Sequence, residues 1–110
     1  MNNSIDEKIF EEAIDWLNNY KKIALVTVIQ TWGSSPRQVG SKMIVNEKGD
    51  FSGSVSGGCV ESFVIGECIE LLKKNKPNKR LDFKVTNEIA WDIGLACGGN
   101  ITVYLQQIKK

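Results

Sequence analysis

Ile23-Ala24-Leu25-Val26-Thr27-Val28-Ile29 is a continuous apolar and β-branched stretch in the first third of the chain. Runs of this length and composition are typical of a strand that is buried on both faces of a sheet. The stretch therefore predicts a central strand, and the rest of the fold is built around it.

Three further segments show strand patterns. Lys42–Asn46 and Phe51–Val55 flank Glu47-Lys48-Gly49-Asp50, which predicts a hairpin with a four-residue turn. Leu81–Thr86 and Ile101–Gln106 alternate between apolar and polar residues, as strands with one solvated face do. Together with the central stretch, these segments predict a sheet of about five strands.

Two segments show helical spacing of their apolar residues. The first predicts a helix over about Ile5–Tyr20, and the second predicts a helix that follows Gly57-Gly58 and ends near Asn75, before Pro77. The expected fold is α+β, with a single mixed sheet and two main helices, in one domain that spans residues 1–110.

Composition excludes several classes of protein. The chain has 110 residues, 25% of them charged, and a net charge of +1, which gives no electrostatic basis for binding nucleic acid. No apolar run approaches the roughly 20 residues that a membrane span needs. The first four residues, Met-Asn-Asn-Ser, lack a signal-peptide pattern, so we expect a cytoplasmic protein.

The numbers of cysteine and histidine residues limit which disulfide, metal and catalytic sites the chain can form. Three cysteines and no histidine favour free thiols over a disulfide framework and make a structural zinc site unfavourable. Without histidine, the chain contains no Ser-His-Asp or Cys-His catalytic apparatus. Cys68 falls within the apolar pattern of the second helix, where we expect it to fill the core.

A first glycine–cysteine turn reads Ser56-Gly57-Gly58-Cys59-Val60-Glu61. If the second helix begins at the glycines, its free N–H groups attract anions such as phosphate, and Cys59 in the first turn gains a lowered pKa. Glu61, in the same turn, would oppose a bound anion. A second interpretation fits the residues equally well: the glycines form a flexible connection between strand and helix, and Cys59 is buried and unreactive.

Two other loops carry candidate groups. Gly94-Leu95-Ala96-Cys97-Gly98-Gly99 precedes the last strand and either presents Cys97 at a pocket or serves only as a tight connection. In Trp32-Gly33-Ser34-Ser35-Pro36-Arg37, Arg37 with the hydroxyls of Ser34 and Ser35 forms a candidate phosphate clamp. The same serines are equally suited to a turn.

The three segments together are more specific than any one of them. Three segments resemble the three motifs of the XdhC/CoxI family in sequence, order and spacing. They are Thr31–Arg37 with Gly40, Lys42 and Met43, then Gly53–Glu61, and then Gly94–Gly99. The similarity covers about Ile23 to Leu105. Members of that family serve molybdenum hydroxylases such as xanthine dehydrogenase and carbon monoxide dehydrogenase.

The resemblance implies a chaperone that binds a molybdopterin-type molybdenum cofactor, assists its sulfuration with a cysteine desulfurase and passes it to an apo-enzyme. The implied cofactor-binding residues lie in the three motifs, and Cys59 is the candidate ligand on the molybdenum side, since thiolates suit soft centres. They are Ser34, Ser35, Arg37, Ser56, Gly57, Gly58, Cys59, Glu61, Cys97, Gly98 and Gly99.

The resemblance also implies partners. Fuller members continue into a C-terminal Rossmann-type domain that this sequence does not include, so the chain is either a stand-alone version or a fragment. We expect a second subunit or a separate Rossmann-domain partner chain to complete the site, and the family suggests a homodimer. Two other functions stay open: a sulfur transferase in which Cys59 carries a persulfide, and an assembly or regulatory protein that binds only other proteins. The absence of histidine as a general base ranks the enzyme below the chaperone.

Overall fold

The computed structural model describes residues 4–20, 22–32, 39–55, 60–85 and 99–109. In chain order the elements are α1 (Ser4–Asn19), β1 (Lys22–Trp32), β2 (Lys42–Asn46), β3 (Phe51–Gly53), α2 (Glu61–Lys73), β4 (Asn78–Val85) and β5 (Gly99–Lys109). The five strands form one sheet in the order β3-β2-β1-β5-β4. The predicted α+β class, with five strands and two helices, is confirmed.

Every pair of neighbouring strands in this sheet is antiparallel, whereas the sequence predicted a mixed sheet. The difference comes from the connection through α2, which joins β3 to β4. These two strands run in the same direction, but they lie at opposite edges of the sheet and never pair. A helical connection usually brings parallel neighbours together, and here it crosses the whole sheet instead.

β1 is the central strand, and it is buried on both faces from Ile23 to Val26, as predicted. The prediction was wrong for Ile29, which is 41% exposed where the register with β5 shifts. Ala24, Val26 and Val28 belong to the core cluster that includes α2, and Ile23 and Leu25 belong to the cluster that includes α1. Successive side chains of a strand point to opposite faces, so this run needs apolar partners on both sides of the sheet.

The two helices lie on opposite faces of the sheet. α1 packs against β1, β2 and β3 through Ile9 and Ala13. α2 packs against β1, β2 and β5 through Val64, Cys68 and Leu72. Neither helix in the described part of the chain is long and apolar enough to cross a membrane.

The last turn of α2 is closed by a Schellman arrangement. The Lys76 N–H donates to the Leu71 carbonyl at 3.0 Å, and the Asn75 N–H donates to the Leu72 carbonyl at 3.2 Å. Asn75 takes the positive φ of 56° that this motif requires. The ammonium of Lys22, the first residue of β1, also donates to the Leu72 carbonyl. The C-terminus of α2 is therefore fixed at the end of the sheet where β1 begins.

The predicted hairpin turn is confirmed, and Asn46 organises it. Its side-chain Oδ1 accepts from the N–H groups of Lys48 at 2.9 Å and Asp50 at 3.1 Å. Gly49 follows with a φ of 91°, in the region that favours glycine. Asn46 is 1% exposed, so the turn is held by a buried side chain in addition to its backbone.

Candidate functional site

The three motif segments leave the sheet at the same end. In the strand register, Thr27 of β1 lies opposite Lys42, so the last part of β1 is beside the start of β2. Met43 lies opposite Gly53, the last residue of β3. Pairing therefore places the ends of β1 and β3 beside the start of β2.

The other two strands bring their motif segment to this same end. Trp32 lies opposite Asn100, and Val85 lies opposite Gly99. We call the end marked by Trp32, Lys42, Gly53, Val85 and Gly99 the motif end. Residues 33–38 follow β1 there, residues 56–59 connect the region after β3 to α2, and residues 86–98 join β4 to β5.

Most of the predicted site residues fall in those connecting segments, outside the described residues. They are Ser34, Ser35, Arg37, Ser56, Gly57, Gly58, Cys59, Cys97 and Gly98. Their roles stay predictions. Gly99 and Glu61 are described: Gly99 is the first residue of β5, and Glu61 is the first residue of α2.

Glu61 is held by the chain at the motif end. It is 8% exposed, and its Oε2 accepts from the Ser54 hydroxyl at 2.7 Å and from the Val55 N–H at 3.1 Å. A buried carboxylate is costly unless hydrogen bonds compensate its lost hydration, and these two donors supply part of that compensation. The sequence did not single out Ser54, a hydroxyl seven residues before a carboxylate.

The start of α2 differs from the prediction. The helix begins at Glu61, and Val60, with φ −126° and ψ 6°, is its N-cap. Cys59 therefore precedes the N-cap and is not part of the first turn. Because the helix dipole acts mainly within the first turn, the predicted lowering of the Cys59 pKa by α2 loses its main support. Glycines at 57 and 58 are weak helix formers, which is consistent with this later start.

The pKa of Asp82 on β4 is also shifted by its neighbours. The hydroxyl of Thr102 on β5 donates to Asp82 Oδ1 at 2.7 Å, and the Arg80 guanidinium lies 3.4 Å from the same oxygen. Chiefly through the Thr102 hydrogen bond, these groups hold the pKa of Asp82 below its ordinary value of 3.8. Asp82 is exposed and stays ionised near neutral pH.

Within the described segments, no group of three or more Cys, His, Asp or Glu side chains is arranged to hold a metal ion. The one cysteine there is Cys68, which is fully buried in the α2 core cluster. Its predicted role as core filler is confirmed. Burial, with a smaller contribution from the Glu67 charge, raises the pKa of the Cys68 thiol from 9.0 to about 12.

This raised pKa predicts a loss of stability at high pH. The fold favours the protonated thiol of Cys68, so its contribution is complete below pH 9 and is lost as the pH rises toward 12. Between pH 8 and 11 the free energy of unfolding should fall by roughly 1–3 kcal/mol more in the wild type than in Cys68→Ala. Urea unfolding of both proteins measures the difference, and equal slopes against pH would contradict it.

The fold and the motif end define a class of protein: a small α+β domain with a sheet between two helices, whose motif segments leave the sheet at one end. The family model for the XdhC and CoxI family matches residues 16–84. The chain belongs to the XdhC and CoxI family.

Two curated relatives are similar over most of this chain. The "Molybdenum cofactor insertion chaperone PaoD" of Escherichia coli strain K12 is 33% identical over 102 residues, 92% of this chain and 31% of the relative. A probable xanthine dehydrogenase subunit from Bacillus subtilis strain 168 is 31% identical over 86% of this chain and 29% of the relative. The chain thus spans about a third of the length of these relatives.

A solved structure supports the fold. The crystal structure of a xanthine dehydrogenase from Bacillus halodurans matches with a TM-score of 0.70 over 88% of this chain and 30% of the other. The two sequences are 24% identical. At that identity the likeness concerns the arrangement of helices and strands.

Proposed function

We propose that this chain is a molybdenum cofactor chaperone, which binds the cofactor as cargo and delivers it to an apo-enzyme of the xanthine dehydrogenase type. The observation that carries the proposal is that the three motif segments leave the sheet at the same end. Similarity to a relative named as a molybdenum cofactor insertion chaperone supports it.

The motif residues suit the chemistry of a molybdopterin-type cargo. Arg37, with Ser34 and Ser35, would bind a phosphate, and the amides of Gly57-Gly58 would add donors. A thiolate is the ligand that a soft metal–sulfur centre prefers, which favours Cys59 for the molybdenum side, with Cys97 as a second candidate thiolate. The remaining motif residues Ser56, Gly98 and Gly99 would shape the backbone around the cargo.

Strand spacing limits which of these motif residues can contact the same cargo molecule. Neighbouring strands lie about 4.8 Å apart, so β3 and β5 are separated by roughly 14 Å across the sheet. The register adds an offset along the strands, because Gly53 is level with Val26 of β1 whereas Asn100 is level with Trp32, roughly 20 Å further along. At the level of the strands this separation exceeds the reach of one pterin-sized group, so contact of a single cargo with both Cys59 and Cys97 depends on the segments that carry them.

The proposal includes partners. A cysteine desulfurase would supply the terminal sulfido ligand while the cargo is held, and clients of the carbon monoxide dehydrogenase type are included with the xanthine dehydrogenase type. Because fuller members of the family carry a Rossmann-type domain, we propose that such a domain, supplied by a second chain, takes part in the site. A homodimer would present two motif ends to a client.

Anaerobic binding of the isolated molybdopterin cofactor tests the function. The protein should retain the cofactor through gel filtration, as measured by the fluorescence of the oxidised pterin. Cys59→Ala should lower retention at least roughly tenfold, the effect of losing about 1.4 kcal/mol of binding free energy. Cys68→Ala is the matched control, because that thiol is buried in the core, and it should retain the cofactor.

Two outcomes would contradict the chaperone. One is no retention by the wild type when the cofactor and a Rossmann-domain partner are both supplied. The other is a persulfide on Cys59, seen by mass spectrometry after incubation with cysteine and a desulfurase, in a protein that retains no cofactor. That second result would favour the sulfur transferase instead.

A further inference from the structure

The outer edge of β4 has no partner strand in the described part of the chain. The sheet order β3-β2-β1-β5-β4 leaves β4 at one edge, and this strand is eight residues long, from Asn78 to Val85. The strand at the other edge, β3, has only three residues. A long edge strand presents a row of unpaired backbone N–H and C=O groups, which are a template for pairing with another chain. β4 is therefore the edge that best suits the addition of a further strand.

The hydrogen bonds to β5 fix which residues of β4 turn their backbone groups outward. The Gln107 N–H donates to the Pro77 carbonyl at 2.8 Å, and the strand register makes these two residues direct opposites. Bonded and non-bonded pairs alternate along an antiparallel ladder. Every second residue from Pro77 onward therefore bonds to β5, and the residues between them, which include Arg80 and Asp82, turn their N–H and C=O groups to the open edge.

Arg80 and Asp82 also carry opposite charges on one face of this edge. They are two residues apart, so their side chains lie on the same face, 3.4 Å from each other and 58% and 64% exposed. The Thr102 hydroxyl donates to the Asp82 carboxylate at 2.7 Å and holds it in place. On the opposite face, the charge of Lys79 is already paired with Glu67 of α2 at 2.7 Å. An added strand would therefore face one exposed cation and one exposed anion.

We propose that two copies of this chain pair through β4, antiparallel and centred on Leu81, to form one continuous sheet with five strands from each copy. This register places Arg80 of each copy opposite Asp82 of the other, and these are residues whose backbone groups face the open edge. Opposite charges that face each other directly stabilise an antiparallel pair. The inference specifies the interface of the homodimer included in the proposed function, and it does not depend on the cargo.

Other registers of the two β4 strands fail on backbone geometry or on charge. A shift by one residue would set outward backbone groups opposite inward ones, so the ladder could not form. A shift by two would set Arg80 opposite Arg80 or Asp82 opposite Asp82, and like charges that face each other are destabilising. The proposed register also makes the edge complementary to itself, as a two-fold symmetric dimer requires.

Exchanging the charges tests the proposed pairing. Sedimentation velocity at several protein concentrations should show a monomer–dimer equilibrium for the wild type. Arg80→Asp or Asp82→Arg alone should raise the dimer dissociation constant at least roughly tenfold, because each creates two like-charge contacts. The double variant Arg80→Asp/Asp82→Arg restores opposite charges and should recover most of the dimer. Lys76→Asp, which makes the same change of charge at an exposed residue before β4, should have no effect.

A disulfide tests the register. Leu81 would face its own copy in a non-bonded pair, where the Cα atoms lie about 4.5 Å apart, within the range of a disulfide. Mild oxidation of Leu81→Cys should therefore give a covalent dimer well above the level that the native cysteines give in the wild type. Lys79→Cys is the matched control, because the two copies of residue 79 would lie about 13 Å apart and should not cross-link above that level.

Three results would overturn the proposal: a wild type that stays monomeric at every concentration, a dimer that neither single charge variant weakens, or equal cross-linking of Leu81→Cys and Lys79→Cys. Circular dichroism checks the fold of each variant, and the cross-linking decides the matter if a charge variant does not fold. Cofactor retention is measured separately. A monomer that retains the cofactor refutes the interface alone, and a dimer with this interface that retains none refutes the chaperone alone.

Discussion

Replacing Gly53 by alanine is expected to lower the free energy of unfolding by about 2–5 kcal/mol. Gly53 has a φ of 88°, where a residue with a Cβ is strained. An added Cβ would also lie 2.5 Å from the Lys42 carbonyl oxygen and 2.7 Å from Ile9 Cδ1. The Lys42 carbonyl is backbone and cannot turn away, so β3 or β2 must shift, and the Ile9 side chain must move as well.

The location makes this substitution informative about the site. Gly53 pairs with Met43 at the motif end, immediately before the residues that bond to Glu61. A shift of β3 would therefore displace Ser54 as well. We expect Gly53→Ala to reduce cofactor retention together with stability, even though Gly53 is not assigned to the cargo.

Alanine substitutions at two other glycines separate the two costs expected at Gly53, the strain of its positive φ and the steric clash of the added Cβ. Gly40 has a φ of 95° but open space around its added Cβ, so Gly40→Ala should cost about 1–2 kcal/mol. Gly66 lies within α2 with open space, and Gly66→Ala should stabilise by up to about 1 kcal/mol. Urea unfolding of the three variants measures the series. Equal losses at Gly53 and Gly40 would show that the close contacts of Gly53 cost nothing.

Truncating Leu72 to alanine is expected to lower the free energy of unfolding by about 2–5 kcal/mol. Leu72 is 0% exposed and packs in the cluster between α2 and the sheet. Removing its branched end leaves a cavity that the surrounding strands cannot close fully. The residue also lies in the last turn of α2, whose carbonyls bind Lys22 and Asn75, so backbone bonds limit how far the helix can relax.

Phe63 on the same helix is the matched control. Phe63→Ala removes more carbon atoms, but the side chain is 53% exposed. If burial decides the cost, Phe63→Ala should lose less than about 1 kcal/mol, well below the loss from Leu72→Ala. Equal losses would mean that Phe63 is covered in solution, for example by a second copy of the chain, and analytical ultracentrifugation at two concentrations would then test the proposed homodimer.

Local patterns were sufficient to predict most of the elements. The run at 23–29 identified the central strand because a strand covered on both faces needs apolar side chains on each. Turn-forming residues between Asn46 and Asp50 identified the hairpin, and apolar spacing identified both helices. The motif order likewise identified the family, since those residue types recur at family-like spacing along the chain.

Boundaries and pairings were less predictable. The start of α2 lies at Glu61, after the glycine pair, with Val60 buried in the core and the Glu61 carboxylate accepting from Ser54 and Val55. Those partners are set by the tertiary structure. The hydrogen bonds from Ser54 and Val55 to Glu61 were unpredictable for the same reason, and the predicted part of Glu61 in binding the cofactor stays a prediction.

By itself, then, the sequence determined the central strand, the two helices, the α+β class and the motifs, because each depends on residues close together in the chain. The tertiary structure alone decided that all neighbouring strands are antiparallel, that α1 and α2 lie on opposite faces, and that the motif segments leave from one end. These features depend on which strands pair. Pairing is set by the burial of both faces of β1, and that burial exists only once distant segments have come together.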